Sequence, residues 1–360
     1  MKAKRMTALV LATLILLTIT PTAFSFSNEE STECLYIYSK KCPEEFTAYA
    51  KEMVGYLLWD YNVPNPSLGE AFTFSNQNSD IFYFPIFSEG KVVLTFRVYW
   101  GQNGKPTGVV SPVFAEDLNA IAVKTTSLNP LRIIYETRDN YDAVIFYMND
   151  YEKEIQITPT IENSTNFSVI SGNDEFEIVN CFPSEPIQTY PSARTSKSLA
   201  VSIKEIQGKD NWCLAYCSSM ILRYYGTYRW AEDIMKDIHG TNVSTITAMG
   251  KVNLIPYFQQ YSFNVRQSTA YPSYNKLYAD IVSEINGLRP LILHVIDRND
   301  KYTHAIVARG YEDVKGTTSV WNPNHDFFET VVDLNHYTPA INQSRDMYVG
   351  EYWYNFHPTN

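Results

Sequence analysis

The 360-residue chain predicts an α+β protein in two parts, and three observations carry that prediction. Residues 26–190 show one amphipathic helix followed by a series of strand-patterned segments, whereas 201–360 show helices first and strands afterwards. Neither part alternates strand and helix as a parallel sheet requires, so both sheets are expected to be antiparallel. The charge also changes between them. Residues 26–197 hold 12 Lys and Arg against 23 Asp and Glu, while 198–360 hold 14 against 16.

Met1 to Ser25 reads as a secretion signal, with Lys2, Lys4 and Arg5 in front, an apolar run over 8–19, and a small-x-small cleavage site at Ala23-Phe24-Ser25. The run is short for a membrane span, and no later stretch is long and apolar enough to cross a bilayer. The expected location of the mature chain is extracellular. Neither part carries the basic excess that nucleic acid binding needs.

In the first part, 44–61 aligns Phe46, Tyr49, Met53, Leu57 and Tyr61 on one helical stripe behind Pro43. Strands are expected at 71–74, 81–87, 92–100 and 109–114, with the turn sequence GQNGKP at 101–106 between two of them. A short helix at 115–122 precedes strands at 131–136, 143–148, 154–158 and 167–170. No histidine occurs before His239, so this part lacks the commonest general base. Residues 183–200 are rich in Pro and Ser and include Arg194 and Lys197, the composition of an exposed linker and a candidate processing site. If the two parts dock, the shortage of opposite charge and the 27 Tyr and 19 Phe predict an apolar junction.

The second part opens on QGKDNWCLAYCSSMILRYY, 207–225. Leu214, Cys217, Ile221 and Tyr224 recur at helical spacing, Asp210 and Asn211 are candidate caps, and Gly226 is a stop. Cys213 therefore falls in the first turn, where free N–H groups and the helix dipole favour a thiolate. That dipole is worth about 0.3–1 kcal/mol, against about 1.4 kcal/mol per pKa unit, so a cationic partner is also required. The Gln207 amide could join the Cys213 N–H in holding an oxyanion. The alternative is that Cys213 and Cys217 are small buried residues and Gln207 a polar loop residue. Further helices are expected at 230–238, 246–260 and 274–286, then strands at 290–296, 304–310, 318–321, within 327–334 and within 347–356.

Among six histidines, His304 begins a strand and precedes Asn322 by 18 residues, and an Asn that accepts from one ring nitrogen aims the other. His294 lies mid-strand as a core residue; His239, His325, His336 and His357 sit in turn-like contexts where exposure is the default. Five cysteines is an odd number for an exported chain. Cys34 and Cys42 are close enough to bridge, whereas Cys213 and Cys217 would distort a helix if joined. No CxxC pair or His cluster has metal-ligand spacing, and no cofactor is expected.

Gln207, Trp212-Cys213, His304 in THAIVARGYED and Asn322 in VWNP, in that order, resemble the papain-like cysteine peptidases. QGKDNWC, WNP and the short second part are most similar to the staphopains, secreted peptidases made as inactive precursors; the likeness runs from about Ile203 to the C-terminus. It implies a papain-like domain over 201–360, with a helical half and an antiparallel sheet, behind an α+β prodomain at 26–190. By the same resemblance Cys213 is the nucleophile, His304 the base and acid, Asn322 its orienter and Gln207 the oxyanion donor. The implied activity is a secreted cysteine endopeptidase acting on protein or peptide substrates, its N-terminal part serving as intramolecular inhibitor. The chain departs from the pattern at Leu214-Ala215 and at Asn324-His325, where a Trp is common after WNP. Two other readings remain open: another acyl-transfer enzyme on this site, or a non-enzymatic secreted binding protein.

Overall fold

The computed structural model describes residues 35–75, 81–101, 104–138, 141–149, 151–157, 176–189, 195–298, 302–339 and 346–359. The expected leader at 1–25, the strand at 167–170, Cys34 and Arg194 lie outside them. The first part contributes β1 (Tyr36–Lys40), α1 (Glu44–Leu57), β2 (Ser67–Gly69), β3 (Ile81–Ser88), β4 (Lys91–Trp100), β5 (Pro106–Ser111), α2 (Ala115–Ala122), β6 (Arg132–Arg138), β7 (Tyr141–Met148), β8 (Tyr151–Ile157) and β9 (Phe176–Asn180). After β10 (Pro183–Pro186) and β11 (Ser196–Ser198) come α3 (Cys213–Tyr224), α4 (Ala231–His239), α5 (Lys251–Gln260), β12 (Phe263–Gln267), α6 (Tyr274–Asn286), β13 (Leu291–Asp297), β14 (Thr303–Glu312), β15 (Thr317–Trp321), β16 (Phe328–Val331) and β17 (Met347–Pro358). The α+β class and the helices-then-antiparallel-sheet order of the second part are as expected.

α1 starts behind Pro43 with Glu44 and Glu45 in its first turn, where carboxylates suit the helix dipole. It buries Phe46, Ala50, Met53, Val54 and Leu57. Each fully buried large apolar side chain contributes about 1.5–3 kcal/mol. The partner surface is one face of β3 and β4: Phe82, Phe84, Phe96 and Val98 belong to the same cluster as α1. The alternate β3 residues Ile81, Tyr83 and Phe87 turn to the other face and join the cluster that contains Phe114 and Leu118. β3 is thus buried on both faces, which its near-continuous apolar sequence IFYFPIF requires.

One antiparallel sheet runs through both parts in the order β10-β2-β3-β4-β5-β16-β15-β14-β13-β17-β12, with β11 also on β14. β1 and β9 form a separate pair, and β6, β7 and β8 a separate three-stranded sheet. The seam is the β5–β16 ladder, which pairs Thr330 with Val110 and Val331 with Val109. Residues of the first and second parts share one apolar cluster, and Glu33–Asn360 make one unit. Both ends of 183–200 are strands: β10 lies on β2, and β11 on the end of β14. The approach of β11 is close. A Cβ on Gly310 would stand 2.8 Å from the Lys197 carbonyl oxygen and 2.8 Å from the Trp59 ring.

The seam is more polar than composition implied. Arg97, 1 % exposed, donates from both terminal nitrogens to the Thr338 and Pro339 carbonyls. Tyr99 donates to the His336 carbonyl, and Trp59 Nε1 to Thr317 Oγ1 at 3.0 Å. Arg309 pairs with Asp60, which also accepts from Ser319 Oγ at 2.6 Å. Bulk charge could not foretell this, because single buried cations matched to carbonyls or to one carboxylate barely alter a net balance. The pair yields a stability prediction. Its side chains are 10 % and 3 % exposed, so Asp60→Ala strands a buried guanidinium and should destabilise the chain by about 3–5 kcal/mol. Urea unfolding measures this.

Candidate active site

The helix that carries Cys213 forms for the reason its sequence suggests. Leu214, Cys217, Ser218 and Ile221 are buried along α3, and Gly226 at φ +84° ends it, its N–H reaching the Arg223 carbonyl at 2.9 Å. The start differs from expectation. The N-cap is Trp212 with no side-chain cap. Asp210 instead accepts from the Trp212 N–H at 3.1 Å and from Tyr216 Oη at 3.3 Å, while the Asn211 amide turns away to the Ile246 carbonyl at 3.3 Å. Both candidate caps are committed elsewhere, so Cys213 opens the helix with its first N–H groups unclaimed by a side chain.

Cys213 is half-buried and its thiol is free. Crowding around the sulfur is decisive: burial pushes the thiol up to about 11, against the opposing pull of the Ala305 and Leu214 N–H groups. The Asp210 carboxylate adds a smaller push in the same direction. The expected lowering at a helix start is therefore overridden, because desolvation of an anion costs more than a dipole of about 0.3–1 kcal/mol returns. Cys213 packs against the apolar cluster that includes Ala305, the residue after His304 on β14.

His304 is 2 % and Asn322 1 % exposed. His304 Nε2 and Asn322 Oδ1 are 2.8 Å apart. β14 and β15 are adjacent antiparallel strands, with Val307 opposite Trp321, so the turn after β15 returns Asn322 to the level of His304. Gln207 reaches the same place by its backbone, its N–H donating to the Pro323 carbonyl at 2.8 Å. Its side-chain Nε2 donates to the Asp210 carbonyl, which holds the amide next to the start of α3. All four residues singled out in the sequence thus converge on one region, spread over the α3 start, β14 and the turn after β15.

Two histidines expected at the surface are buried: His325 is 6 % and His336 7 % exposed. Their turns fold inward. The His325 ring stacks on Phe327 at 4.8 Å, and its backbone holds Trp321 Nε1 and the Asn322 carbonyl. Burial above all, with the Arg97 guanidinium adding to it, lowers His325 to about 3, so it is neutral at physiological pH. His294 is buried as expected, and burial lowers it to about 4. Sequence reasoning missed Tyr337 and Glu329, both 0 % exposed. Asn322 Nδ2 donates to Tyr337 Oη at 3.4 Å, and Tyr337 Oη donates to Glu329 at 2.5 Å. No local pattern marks either one. Among the described residues, no group of three or more His, Cys, Asp or Glu could hold a metal ion, and no helix is long and apolar enough to cross a membrane.

A thiol at the head of a helix, set against a sheet whose strand presents an imidazole tied to an amide, is the arrangement expected of the papain-like cysteine peptidases, and the comparisons support that class for this half of the chain. Residues 198–349 match the Peptidase_C39 like family. The chain is similar to the staphopains. It is 22 % identical to Staphopain A of Staphylococcus aureus strain MSSA476 over 368 residues, covering 93 % of this chain and 95 % of the relative, and the strain MW2 protein matches equally. Staphopain A of strain Mu50 is 22 % identical over 298 residues, covering 77 % of this chain and 76 % of the relative. The likeness therefore extends into the first part, beyond the 203–360 stretch in which the motifs are legible.

Proposed function

We propose that the protein is a secreted cysteine endopeptidase synthesised as an inactive precursor. Cys213 attacks the peptide carbonyl, the Cys213 N–H and Gln207 hold the oxyanion, and His304 takes the thiol proton and returns it to the leaving amine. Water then releases the acyl-enzyme. Asn322 accepts from His304 Nε2, which leaves Nδ1 as the basic nitrogen. The observation that carries this reading is the 2.8 Å His304–Asn322 contact at the head of β14, whose next residue, Ala305, belongs to the apolar cluster against which Cys213 packs.

The precursor state is supported by the seam: one sheet runs through both parts by way of the β5–β16 ladder, which holds the first part against the second. Residues 26–190 act as the intramolecular inhibitor, and the Pro- and Ser-rich segment 183–200 is where processing occurs. Export follows from the leader at 1–25, and the substrates are proteins or peptides. The test is labelling with an epoxide inhibitor of cysteine peptidases, followed by mass spectrometry of the modified peptide. Cys213 is expected to carry the label in the processed protein. A label on another cysteine, or none after processing, overturns the site and returns the chain to the binding-protein reading.

A further inference from the structure

We propose that Tyr337 and Glu329 are positioning residues that set the orientation of the Asn322 amide and, through it, which nitrogen of His304 carries the proton. The inference rests on the site reading above. Glu329, Tyr337, Asn322 and His304 form one buried line of hydrogen bonds whose polarity runs in a single direction. The phenol gives its only proton to the Glu329 carboxylate at 2.5 Å, so towards Asn322 it has lone pairs alone to offer. The group that meets it at 3.4 Å is therefore Nδ2, a donor. The other end of the amide is then Oδ1, 2.8 Å from His304 Nε2.

A second donor agrees. The Asn324 backbone N–H reaches the same Oδ1 at 3.1 Å, and a backbone N–H can only donate. A flipped amide would face Nδ2 to that N–H and Oδ1 to a phenol whose proton is already committed. Because Oδ1 accepts, His304 Nε2 holds the ring proton and Nδ1 is left basic. The phenol itself is well anchored: Tyr337 and Met347 exchange backbone bonds at 2.9 Å in both directions. Arg97 and Tyr99 take the carbonyls of Thr338, Pro339 and His336 on either side of it. The Tyr337–Glu329 pair restrains Asn322 from the side opposite His304.

The test compares Tyr337→Phe with and without Asn322→Ala, in the full-length protein taken through the processing that activates the wild type, with a fluorogenic peptide as substrate. Tyr337→Phe is expected to lower kcat about fivefold to tenfold with KM within about twofold, and to add less than about a twofold loss in the Asn322→Ala background. An unchanged kcat, or an equal loss in both backgrounds as a purely structural phenol would give, overturns the proposal. Glu329→Gln keeps the size but can present either an oxygen or an NH2 to the phenol. It should lower kcat about twofold to fivefold, and an unchanged kcat there overturns the proposal as well. If Asn322→Ala alone leaves kcat intact, the site reading itself falls and this inference with it.

Discussion

Cys213→Ala should leave a folded chain whose peptide hydrolysis is slower by at least about a thousandfold. The substitution removes the one atom that can form the acyl-enzyme. It also removes little packing, because Cys213 is half-buried and the apolar weight of α3 rests on Leu214, Cys217 and Ile221. His304→Ala should fall by a comparable factor, and the double variant scarcely further, since the two groups act as one unit. The measurement is kcat/KM on a fluorogenic peptide beside an unfolding curve that shows the fold retained. Activity surviving in Cys213→Ala would exclude the thiol mechanism and favour a different chemistry in the same cleft.

Removal of the first part should change Cys213 itself. In the intact chain the alkylation rate by iodoacetamide should rise about tenfold per pH unit up to about 11, because burial penalises the charged sulfur and favours the protonated form below that pH. Cleavage within 187–195 and release of the preceding residues should bring that midpoint down by several units and raise the rate at pH 7 by more than about a hundredfold. The Ala305 and Leu214 N–H groups, which already favour the anion, remain when the burial is relieved. A profile that stays put after release would mean that the second part crowds its own sulfur, and that latency has another cause. The seam argues that release requires more than a cut. The β5–β16 ladder, Arg97 on 338–339 and the Arg309–Asp60 pair must all separate.

Much of the local order is written in single stretches of sequence. α2 at 115–122 and α6 at 274–286 fall where their periodicity places them, because a helix face is decided by residues three and four apart. The candidate site was readable for the same reason: Cys213 heads a helix pattern, His304 heads a strand pattern, and Asn322 follows the next strand in antiparallel succession. α5 is shorter than its apolar pattern, beginning at Lys251 instead of 246, since Gly250 lies at its start.

What tertiary structure alone decided are the quantities that depend on neighbours distant in the chain. The Cys213 thiol moves up instead of down because desolvation is a property of what packs around the sulfur. His325 and His336 are buried because their turns fold back onto Trp321 and the seam, which turn composition does not encode. Tyr337 and Glu329 come to Asn322 from 15 and 7 residues further along the chain. The buried Arg97 finds its acceptors more than 240 residues away. Periodicity and spacing are local and so determine which elements form and in what order the chemical groups appear. Burial, hydrogen-bond direction and the charge state of a buried group are sums over the whole packed molecule, and only the fold assembles them.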